Sequence, residues 1–209
     1  MADRKKYLRG ILAETRAALS GAYAAEASAA VQARVLSGAL YRGCETIVLY
    51  SPKDNEIGTE VVFMDAIRSG RRVLFPRIIR ERGELSLVCV GDRAELRPGA
   101  FGLLEPAGAE IVRPDALERT LICVPGVAFS PAGQRLGRGG GYYDRMLAAA
   151  PRAITAGLAY SFQVLDRLPE SPEDRRLDVI MTESAMHAAP DSPHAAALRT
   201  GQGGVPRCW

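Results

Sequence analysis

One glycine-rich segment combines the residue types of a phosphate site: a flexible backbone, arginines and a carboxylate. It reads Arg135, Leu136, Gly137, Arg138, Gly139, Gly140, Gly141, Tyr142, Tyr143, Asp144, Arg145. Glycine tolerates backbone angles that turn successive N–H groups toward one anion, which suits the close approach of a phosphate chain. Tyr142 to Ala150 has the pattern of a helix, and its N-terminus would face the same anion. Asp144 would lie in the first turn, where it can hold a Mg²⁺ shared with phosphate oxygens.

The glycine spacing matches neither of the common nucleotide-binding fingerprints. Gly137-x-Gly139-x-Gly141 lacks the G-x-G-x-x-G spacing, and no Gly-Lys-Ser/Thr follows to complete a P-loop. The alternative is a surface loop that only links a strand to a helix. For a glycine cluster alone that alternative would be preferred, so the choice depends on the residues around it.

The first predicted helix places a basic stripe beside an apolar one. Asp3 to about Leu19 has apolar residues at helical spacing. On the adjoining face Lys5, Arg9 and Arg16 fall within about 40° of one another. A basic stripe of this kind is usually solvated surface. On the pattern alone, all three side chains are expected to face water.

Helices and short apolar strands alternate along the rest of the chain. Further helices are predicted up to Arg42-Gly43, at Thr59 to Ser69 and at Tyr142 to Ala150, and strands at Thr46 to Ser51, Arg72 to Pro76, Leu85 to Val90, Leu121 to Val124, Ile154 to Tyr160 and Val179 to Thr182. This alternation predicts a single α/β domain with a mainly parallel open sheet and helices on both faces, a Rossmann-like three-layer architecture. Ligands gather beyond the carboxyl ends of such strands, where Ser51, Arg77, Gly126 and Tyr160 fall.

The last part of the sequence has a different composition. From residue 185 onward Pro, Gly, Ser and Ala dominate without periodicity, so we expect one domain over residues 1–184 and a mobile C-terminal tail over 185–209. Both histidines, His187 and His194, lie in that tail. Hydrolases that need a histidine in the body of the fold are therefore disfavoured. The chemistry must use carboxylates, arginines, lysines, backbone groups and metal.

The overall composition is that of an ordinary globular protein. The net charge of +3 is too small to predict nucleic-acid binding. No stretch approaches about 20 apolar residues, so neither membrane insertion nor export is expected. The 4 cysteines are far apart, which favours buried thiols over a disulfide framework. We expect a cytoplasmic monomer.

Residues around the glycine segment, and pieces elsewhere, resemble one family. Val124 to Gln134 leads into Arg135, and the other matching pieces are Lys5 to Arg9, Tyr50-Ser51-Pro52, Glu56 to Thr59, Phe75-Pro76-Arg77, Phe101-Gly102, Glu105-Pro106, Leu177-Asp178 and Thr182-Glu183. Together they resemble the 5-formyltetrahydrofolate cyclo-ligases, also called methenyltetrahydrofolate synthetases. One departure is Glu173-Asp174, where members often have His-Asp. No role for that histidine carries over, whereas Asp174 and Asp178 both match the family pattern.

The resemblance implies an ATP- and Mg²⁺-dependent ligase that converts 5-formyltetrahydrofolate to 5,10-methenyltetrahydrofolate through phosphorylation of the formyl oxygen, with release of ADP and phosphate. It implies that Arg138 and Arg145 neutralise developing charge and that Asp144 and Asp178 bind Mg²⁺. The residues implied for ATP are Lys5, Lys6, Arg9, Arg135, Leu136, Gly137, Arg138, Gly139, Gly140, Gly141, Tyr142 and Tyr143. Those implied for the reduced folate are Ser51, Glu56, Arg138, Gly139, Gly140, Gly141 and Tyr142.

Three other classes of protein stay open on the sequence. A different ATP-dependent enzyme on the same scaffold is the strongest, because the phosphate machinery is better marked than the folate pocket. A non-catalytic folate- or nucleotide-binding regulator is disfavoured by the presence of Asp144 with Asp178. An RNA-binding module is weakest, because aromatic residues are few and no RRM or KH signature occurs.

Overall fold

The computed structural model describes residues 2–195, with helices and strands alternating along the chain. The helices are α1 (Ala2–Ala17), α2 (Gly21–Ser37), α3 (Ala39–Gly43), α4 (Glu60–Arg68) and α5 (Tyr142–Ala148). The strands are β1 (Thr46–Val48), β2 (Arg72–Ile79), β3 (Glu84–Cys89), β4 (Leu96–Pro98), β5 (Leu104–Pro106), β6 (Ile111–Val112), β7 (Thr120–Val124), β8 (Ala128–Phe129), β9 (Arg135–Leu136), β10 (Ile154–Leu158), β11 (Val179–Met181) and β12 (Met186–Ala188). None of these helices has the length and apolar character needed to cross a bilayer.

Within the described residues the main sheet has eight strands, in the order β12-β11-β10-β7-β1-β2-β3-β6. The strands β11, β10, β7, β1 and β2 are parallel. The antiparallel strands β12, β3 and β6 complete its two edges. The predicted mainly parallel open sheet is confirmed. The chain winds outward from β1 in two directions, so the carboxyl ends of β1 and β7 flank the switch point at which open α/β sheets bind ligands.

Helices cover both faces of the sheet because successive strand residues point to opposite sides. Ile47 and Leu49 of the β1 region pack in the apolar cluster that includes α2, α3 and α4, whereas Val48 packs in the cluster that includes α5. Helix α1 packs separately, with Leu12 beside Leu136 of the small β8–β9 hairpin. Since this hairpin follows β7, α1 lies near the carboxyl ends of the central strands.

Two local features differ from the predicted elements. The single helix predicted up to Arg42-Gly43 is two helices, α2 and α3, which meet at Gly38, a residue with extended backbone angles (φ −75°, ψ 146°). The hairpins β4–β5 and β8–β9 were not predicted. Strands of two or three residues carry too little periodicity to be recognised.

The predicted mobile tail begins instead with a strand. β12 pairs antiparallel with β11 and closes one edge of the main sheet. Beyond it the Ser192 hydroxyl donates a 2.6 Å hydrogen bond to Asp178, and Ala195 is buried. The folded domain therefore extends past residue 184 to at least Ala195, because backbone pairing does not require the alternating pattern that the sequence lacks here. The rest of the predicted tail, 196–209, lies outside the described residues.

Candidate active site

A cavity of about 690 Å³ lies at the switch point of the sheet. Tyr50 and Ser51, just beyond β1, line one part of it, and Pro125 and Gly126, just beyond β7, line another. Helix α1, the glycine loop (residues 137–141) and residues 101–105 supply the other walls. A cavity of this size is typical of small-molecule sites, which bury most of their ligand.

The glycine loop turns tightly at the mouth of the cavity. Gly139 and Gly141 have φ values of 104° and 66°, in the left-handed region that other residues rarely adopt. A Cβ at Gly140 would lie 2.7 Å from the ring of Tyr142. Residues 135–144 all line the cavity. The glycines thus let the main chain itself form a wall, as a phosphate-binding loop requires.

Arg138 connects this loop to the opposite wall. Its Nη1 donates to Asp54 and its Nη2 to Glu56, each at 3.0 Å. The Glu56 carboxylate also accepts from the backbone N–H of Lys53 at 3.1 Å, in a turn where Asp54 and Asn55 are both left-handed. Burial works against the charge of Arg138, but the two carboxylates outweigh it and raise its pKa. Arg138 therefore stays charged in its pair with Glu56.

Arg145 lies behind the loop and does not line the cavity. It donates to the carbonyl oxygens of Gly83 and Gly140, each at 2.8 Å, and its guanidinium lies 5.4 Å from the centre of the Tyr142 ring. These contacts fix the glycine loop to the β2–β3 turn. Arg145 can therefore influence the cavity only through the glycine loop that it holds in place.

The basic stripe of α1 faces the cavity and the loops beneath it, and only part of it meets water. Lys5 Nζ donates to Asp174 at 2.6 Å and to Ser171 at 2.9 Å. Arg9 Nε donates to the carbonyl of Gly137 at 2.8 Å. Lys6, implied for ATP by the resemblance, is exposed on the outer face of α1 and does not line the cavity. Because successive helix residues point in different directions, Lys6 lies on a different face of α1 from Lys5 and Arg9.

Arg16 overturns the expectation of a fully solvated stripe. Only 2% of its surface is exposed, and its guanidinium donates to the carbonyl oxygens of Asp54 at 2.9 Å and Gly126 at 3.1 Å. The prediction was wrong because two loops from the sheet cover the end of α1. The sequence signal that could have found it is the shared helical face with Lys5 and Arg9.

Two carboxylates lie together at the cationic end of the cavity. Asp144 Oδ1 accepts from Arg135 Nη2 at 2.8 Å and from the backbone N–H of Arg175 at 3.3 Å, next in sequence to Asp174. Asp174 is paired with Lys5. Both line the cavity, and carboxylate oxygens are the ligands that a divalent ion such as Mg²⁺ takes.

No cluster of three or more His, Cys, Asp or Glu side chains in residues 2–195 is arranged to hold a metal by itself. Mg²⁺ usually takes one or two carboxylates together with substrate phosphates, so a pair of carboxylates beside a phosphate loop is the donor set it requires.

Asp178, the other carboxylate implied for Mg²⁺, is placed elsewhere. It precedes β11, and its Oδ2 accepts from the backbone N–H and the hydroxyl of Thr155, each at 2.8 Å. Its Oδ1 accepts from Ser192 at 2.6 Å. These contacts lie at the amino ends of β10 and β11, away from the carboxyl ends that face the cavity. The structure does not bring Asp178 beside Asp144.

The other end of the cavity is apolar. Side chains from β2, β3 and the β4–β5 turn form this wall: Ile78, Leu85, Phe101, Leu103 and Leu104. The Ser51 hydroxyl donates to the Leu104 carbonyl at 2.6 Å and so ties the β1 end to this wall. None of the five was proposed as a site residue from the sequence. The sequence signal that could have found this wall is the Phe101-Gly102 piece of the family resemblance. In the structure both of these residues have positive φ.

Two tyrosines, the buried Tyr50 and the partly buried Tyr143, line the cavity between the two ends. The Tyr50 hydroxyl donates to the Ile57 carbonyl at 2.7 Å. Burial, followed by the nearby charge of Glu56, raises the pKa of both Tyr50 and Tyr143. Both phenols stay neutral at physiological pH and can donate hydrogen bonds. Neither described histidine lines the cavity, and His187 lies in β12.

Comparison with known proteins gives one consistent result. The model of the 5-formyltetrahydrofolate cyclo-ligase family matches residues 1–183. The mouse 5-formyltetrahydrofolate cyclo-ligase is 27% identical over 191 residues, which cover 87% of this chain and 94% of the mouse protein.

Solved structures agree with the sequence comparison. The structure of Aquifex aeolicus 5,10-methenyltetrahydrofolate synthetase superposes with a TM-score of 0.79 at 34% identity, over 90% of this chain and 94% of that one. The structure of the Mycoplasma pneumoniae 5,10-methenyltetrahydrofolate synthetase superposes with a TM-score of 0.70 at 26% identity. The match covers 86% of this chain and 98% of that one. With the glycine loop, the paired carboxylates and the fold all in place, the chain belongs to the 5-formyltetrahydrofolate cyclo-ligase family.

Proposed function

We propose that this chain converts 5-formyltetrahydrofolate to 5,10-methenyltetrahydrofolate, with ATP as co-substrate, by phosphorylating the formyl oxygen. The observation that carries the proposal is a single cavity with two chemically different ends. One end has Lys5, Arg9 and the glycine loop for a triphosphate, and the other has Glu56 and an apolar wall for a pterin. A site with both ends can hold two substrates with their reacting atoms in contact.

The reaction must turn a poor leaving group into a good one. The formyl oxygen, amide-like in its bonding to nitrogen, attacks the γ-phosphorus of ATP, and ADP leaves with the bridging oxygen. The formyl carbon is then electrophilic, and the second folate nitrogen attacks it to form the new C–N bond and loses its N–H proton to water. Phosphate leaves with the former formyl oxygen. The protein contributes positioning and charge stabilisation, as in other phosphoryl transfers.

Arginine side chains and loop backbone supply the charge stabilisation at the phosphate end. Arg9 and the glycine loop would hold the phosphates, while Arg138, half exposed, can turn from Glu56 toward the transferred group. Arg145 would act by holding the loop in its turned conformation and by adding positive charge behind it. Preorganised cations of this kind stabilise the transition state without further rearrangement.

Asp144 and Asp174 are the residues that would hold Mg²⁺ in this site. A divalent cation held by these carboxylates would supply positive charge that reduces the repulsion between the phosphate oxygens and the attacking oxygen. Lys5 pairs with Asp174 in the structure and would turn to the phosphates instead, whereas Arg135, whose side chain is 4% exposed, would stay beside Asp144. Asp178 remains the alternative second ligand that the resemblance implies.

Glu56 would accept hydrogen bonds from the donor-rich edge of the pterin, with Ser51 beside it. The apolar wall would pack against the rings and keep water from the phosphorylated intermediate, which water would otherwise hydrolyse. Within residues 2–195 the cysteines Cys44, Cys89 and Cys123 are free thiols, which supports a reducing compartment such as the cytoplasm.

An isotope experiment tests the proposed chemistry. The chain is incubated with ATP, Mg²⁺ and 5-formyltetrahydrofolate that carries oxygen-18 in the formyl group, while the methenyl chromophore is followed. We expect the label in the released phosphate and one ADP per methenyl product. Unlabelled phosphate would exclude direct phosphorylation of the formyl oxygen. AMP, or ATP hydrolysis without the chromophore, would indicate a different ATP-dependent enzyme.

A further inference from the structure

Arg16 is a buried cation that the proposed chemistry does not use. It lies on the same helical face as Lys5 and Arg9, yet 2% of its surface is exposed. Burial lowers its pKa, and the charge of Glu56 acts in the opposite direction. A charged side chain is almost never found fully buried unless it is paired, so this arginine needs a specific partner.

The guanidinium of Arg16 is fixed by two loops at once. Its Nε donates to the Asp54 carbonyl at 2.9 Å and its Nη1 to the Gly126 carbonyl at 3.1 Å. The buried Gln163 amide donates to the same Gly126 carbonyl at 3.1 Å, and Asn55 donates to the Arg16 carbonyl at 3.3 Å. Two acceptors in different loops set the plane of the guanidinium, because its donors have a fixed fork geometry.

The third contact of Arg16 is with Glu56. Its Nη2 lies 3.7 Å from Glu56 Oε1, which also accepts from Arg138 Nη2 at 3.0 Å. The two cations differ in exposure: the Arg16 side chain is 3% exposed, whereas that of Arg138 is 50% exposed. Arg138 can therefore leave Glu56 for a phosphate, but Arg16 cannot move without breaking its hydrogen bonds to two loop carbonyls.

We infer that Arg16 is a positioning residue of the folate-binding half of the site: it holds Glu56 in place as a carboxylate when Arg138 turns to the nucleotide. The inference rests on the proposed function, which assigns Glu56 to the pterin. Without a permanent cationic neighbour, Glu56, 8% exposed, would be a buried carboxylate with no counter-ion at that moment, which is costly.

Arg16 also fixes the floor of the cavity. Gly126 lines the cavity, and its carbonyl accepts hydrogen bonds from both Arg16 and Gln163. Asp54 accepts two hydrogen bonds: its carboxylate accepts from Arg138, and its backbone carbonyl accepts from Arg16. The guanidinium thus sets the distance between the β1 loop that presents Glu56 and the β7 loop below the substrate. Lysine cannot replace it, since one ammonium cannot meet both carbonyls and the carboxylate in a planar fork.

Direct binding measurements on four variants test this inference. The variants are Arg16→Gln, Arg16→Lys, Glu56→Gln and the double variant Arg16→Gln/Glu56→Gln. The dissociation constants of 5-formyltetrahydrofolate alone and of ATP with Mg²⁺ alone are measured by titration calorimetry, with thermal melting as a check on folding. Arg34→Gln is the matched control, because Arg34 also donates to a backbone carbonyl, that of Thr182, and neither residue lines the cavity.

The expected result is a selective and non-additive loss of folate binding. Arg16→Gln should weaken folate binding about tenfold or more and ATP binding less than about threefold, since the missing partner belongs to a buried charged pair. The double variant should bind folate within about twofold of Glu56→Gln, because Arg16 acts through that carboxylate. Arg16→Lys, which keeps the charge and loses the fork, should lie between Arg16→Gln and the parent chain. Arg34→Gln should leave the folate constant unchanged.

Several outcomes would overturn the inference. If the losses of Arg16→Gln and Glu56→Gln multiply in the double variant, Arg16 does not act through Glu56. If the affinities for folate and ATP fall equally, Arg16 stabilises the fold in general and has no specific role in folate binding. Should Arg16→Gln fail to fold, Arg16→Lys alone and with Glu56→Gln supplies the same comparison. If Glu56→Gln itself binds folate normally, the assignment of Glu56 to the pterin is wrong, which is a failure of the proposed function and is visible before Arg16 is changed.

Discussion

Arg138 Nη2 lies 3.0 Å from Glu56 Oε1, so the arginine of the phosphate-binding loop and the carboxylate of the opposite wall form an ion pair across the cavity. Both side chains are assigned to substrates, one to the transferred phosphate and the other to the pterin. Each substrate therefore competes with the pair for one of its members. Arg16 is the cation that stays with Glu56 when this pair opens.

Removal of Arg138 should affect the chemical step more than folate binding. For Arg138→Ala we expect kcat to fall by about 100-fold or more, as for loss of a transition-state charge stabiliser. The KM for folate should change less than about threefold, since Arg16 and the Lys53 N–H still hold Glu56. Steady-state kinetics measure both constants. A rise in folate KM with kcat preserved would instead assign Arg138 to folate binding.

Asp144→Asn should abolish most of the activity through loss of a hard-cation ligand. A contribution of several kcal/mol from the metal corresponds to a fall of about 100-fold or more in turnover. The half-saturating Mg²⁺ concentration should rise, and calorimetric titration of Mg²⁺ into the ATP complex should show weaker binding. The melting temperature should change little, because Asp144 is partly exposed. Normal turnover at saturating Mg²⁺ would remove this residue from the metal site.

Asp174 and Asp178 should behave differently when each is changed to Asn. Asp174→Asn should weaken Mg²⁺ and ATP binding, as Asp174 lies in the cavity beside Asp144. Asp178→Asn should instead lose about 2 kcal/mol of unfolding free energy, or about 4 to 8 °C in melting temperature, because its hydrogen bonds to Thr155 and Ser192 are structural. The reverse pattern would restore Asp178 as the second ligand.

Arg9 and Lys6 form a matched pair on one helix. Arg9→Ala should raise the KM for ATP about tenfold and that for folate much less, as expected for one lost charged contact to phosphate. Lys6→Ala is the control, because Lys6 lies on the outer face of α1. It should leave both KM values unchanged. If the folate KM responds to Arg9→Ala, the arginine contacts the anionic glutamate tail of the folate.

The position of the C-terminal boundary has a direct consequence for stability. A chain that ends at Ser184 loses β12 and the hydrogen bond from Ser192 to Asp178. Compared with a chain that ends at Ala195, it should unfold at a temperature lower by about 4 °C or more, for a loss of about 2 kcal/mol. Calorimetric melting of the two chains decides the point. Equal melting temperatures would show that β12 contributes nothing.

The sequence by itself determined the local features of this protein. The glycines at residues 137–141 specify a loop with left-handed turns whatever the fold, and the helical spacing of Lys5, Arg9 and Arg16 specifies one common face. Apolar strands alternating with helices specify a mainly parallel sheet and place the candidate residues beyond its strand ends.

Tertiary structure alone decided which of these residues meet. The ion pair between Lys5 and Asp174 joins residues 169 positions apart, and it depends on the order of strands in the sheet. The resemblance implies Asp178 as a metal ligand, but Asp174 is the one that lines the cavity, whereas Asp178 is bonded at the amino ends of two strands. Arg16 has the sequence pattern of a surface residue, but the loops that follow β1 and β7 bury it. Periodicity reports only which face of an element a residue occupies, whereas burial depends on what distant segments the packed core brings against that face.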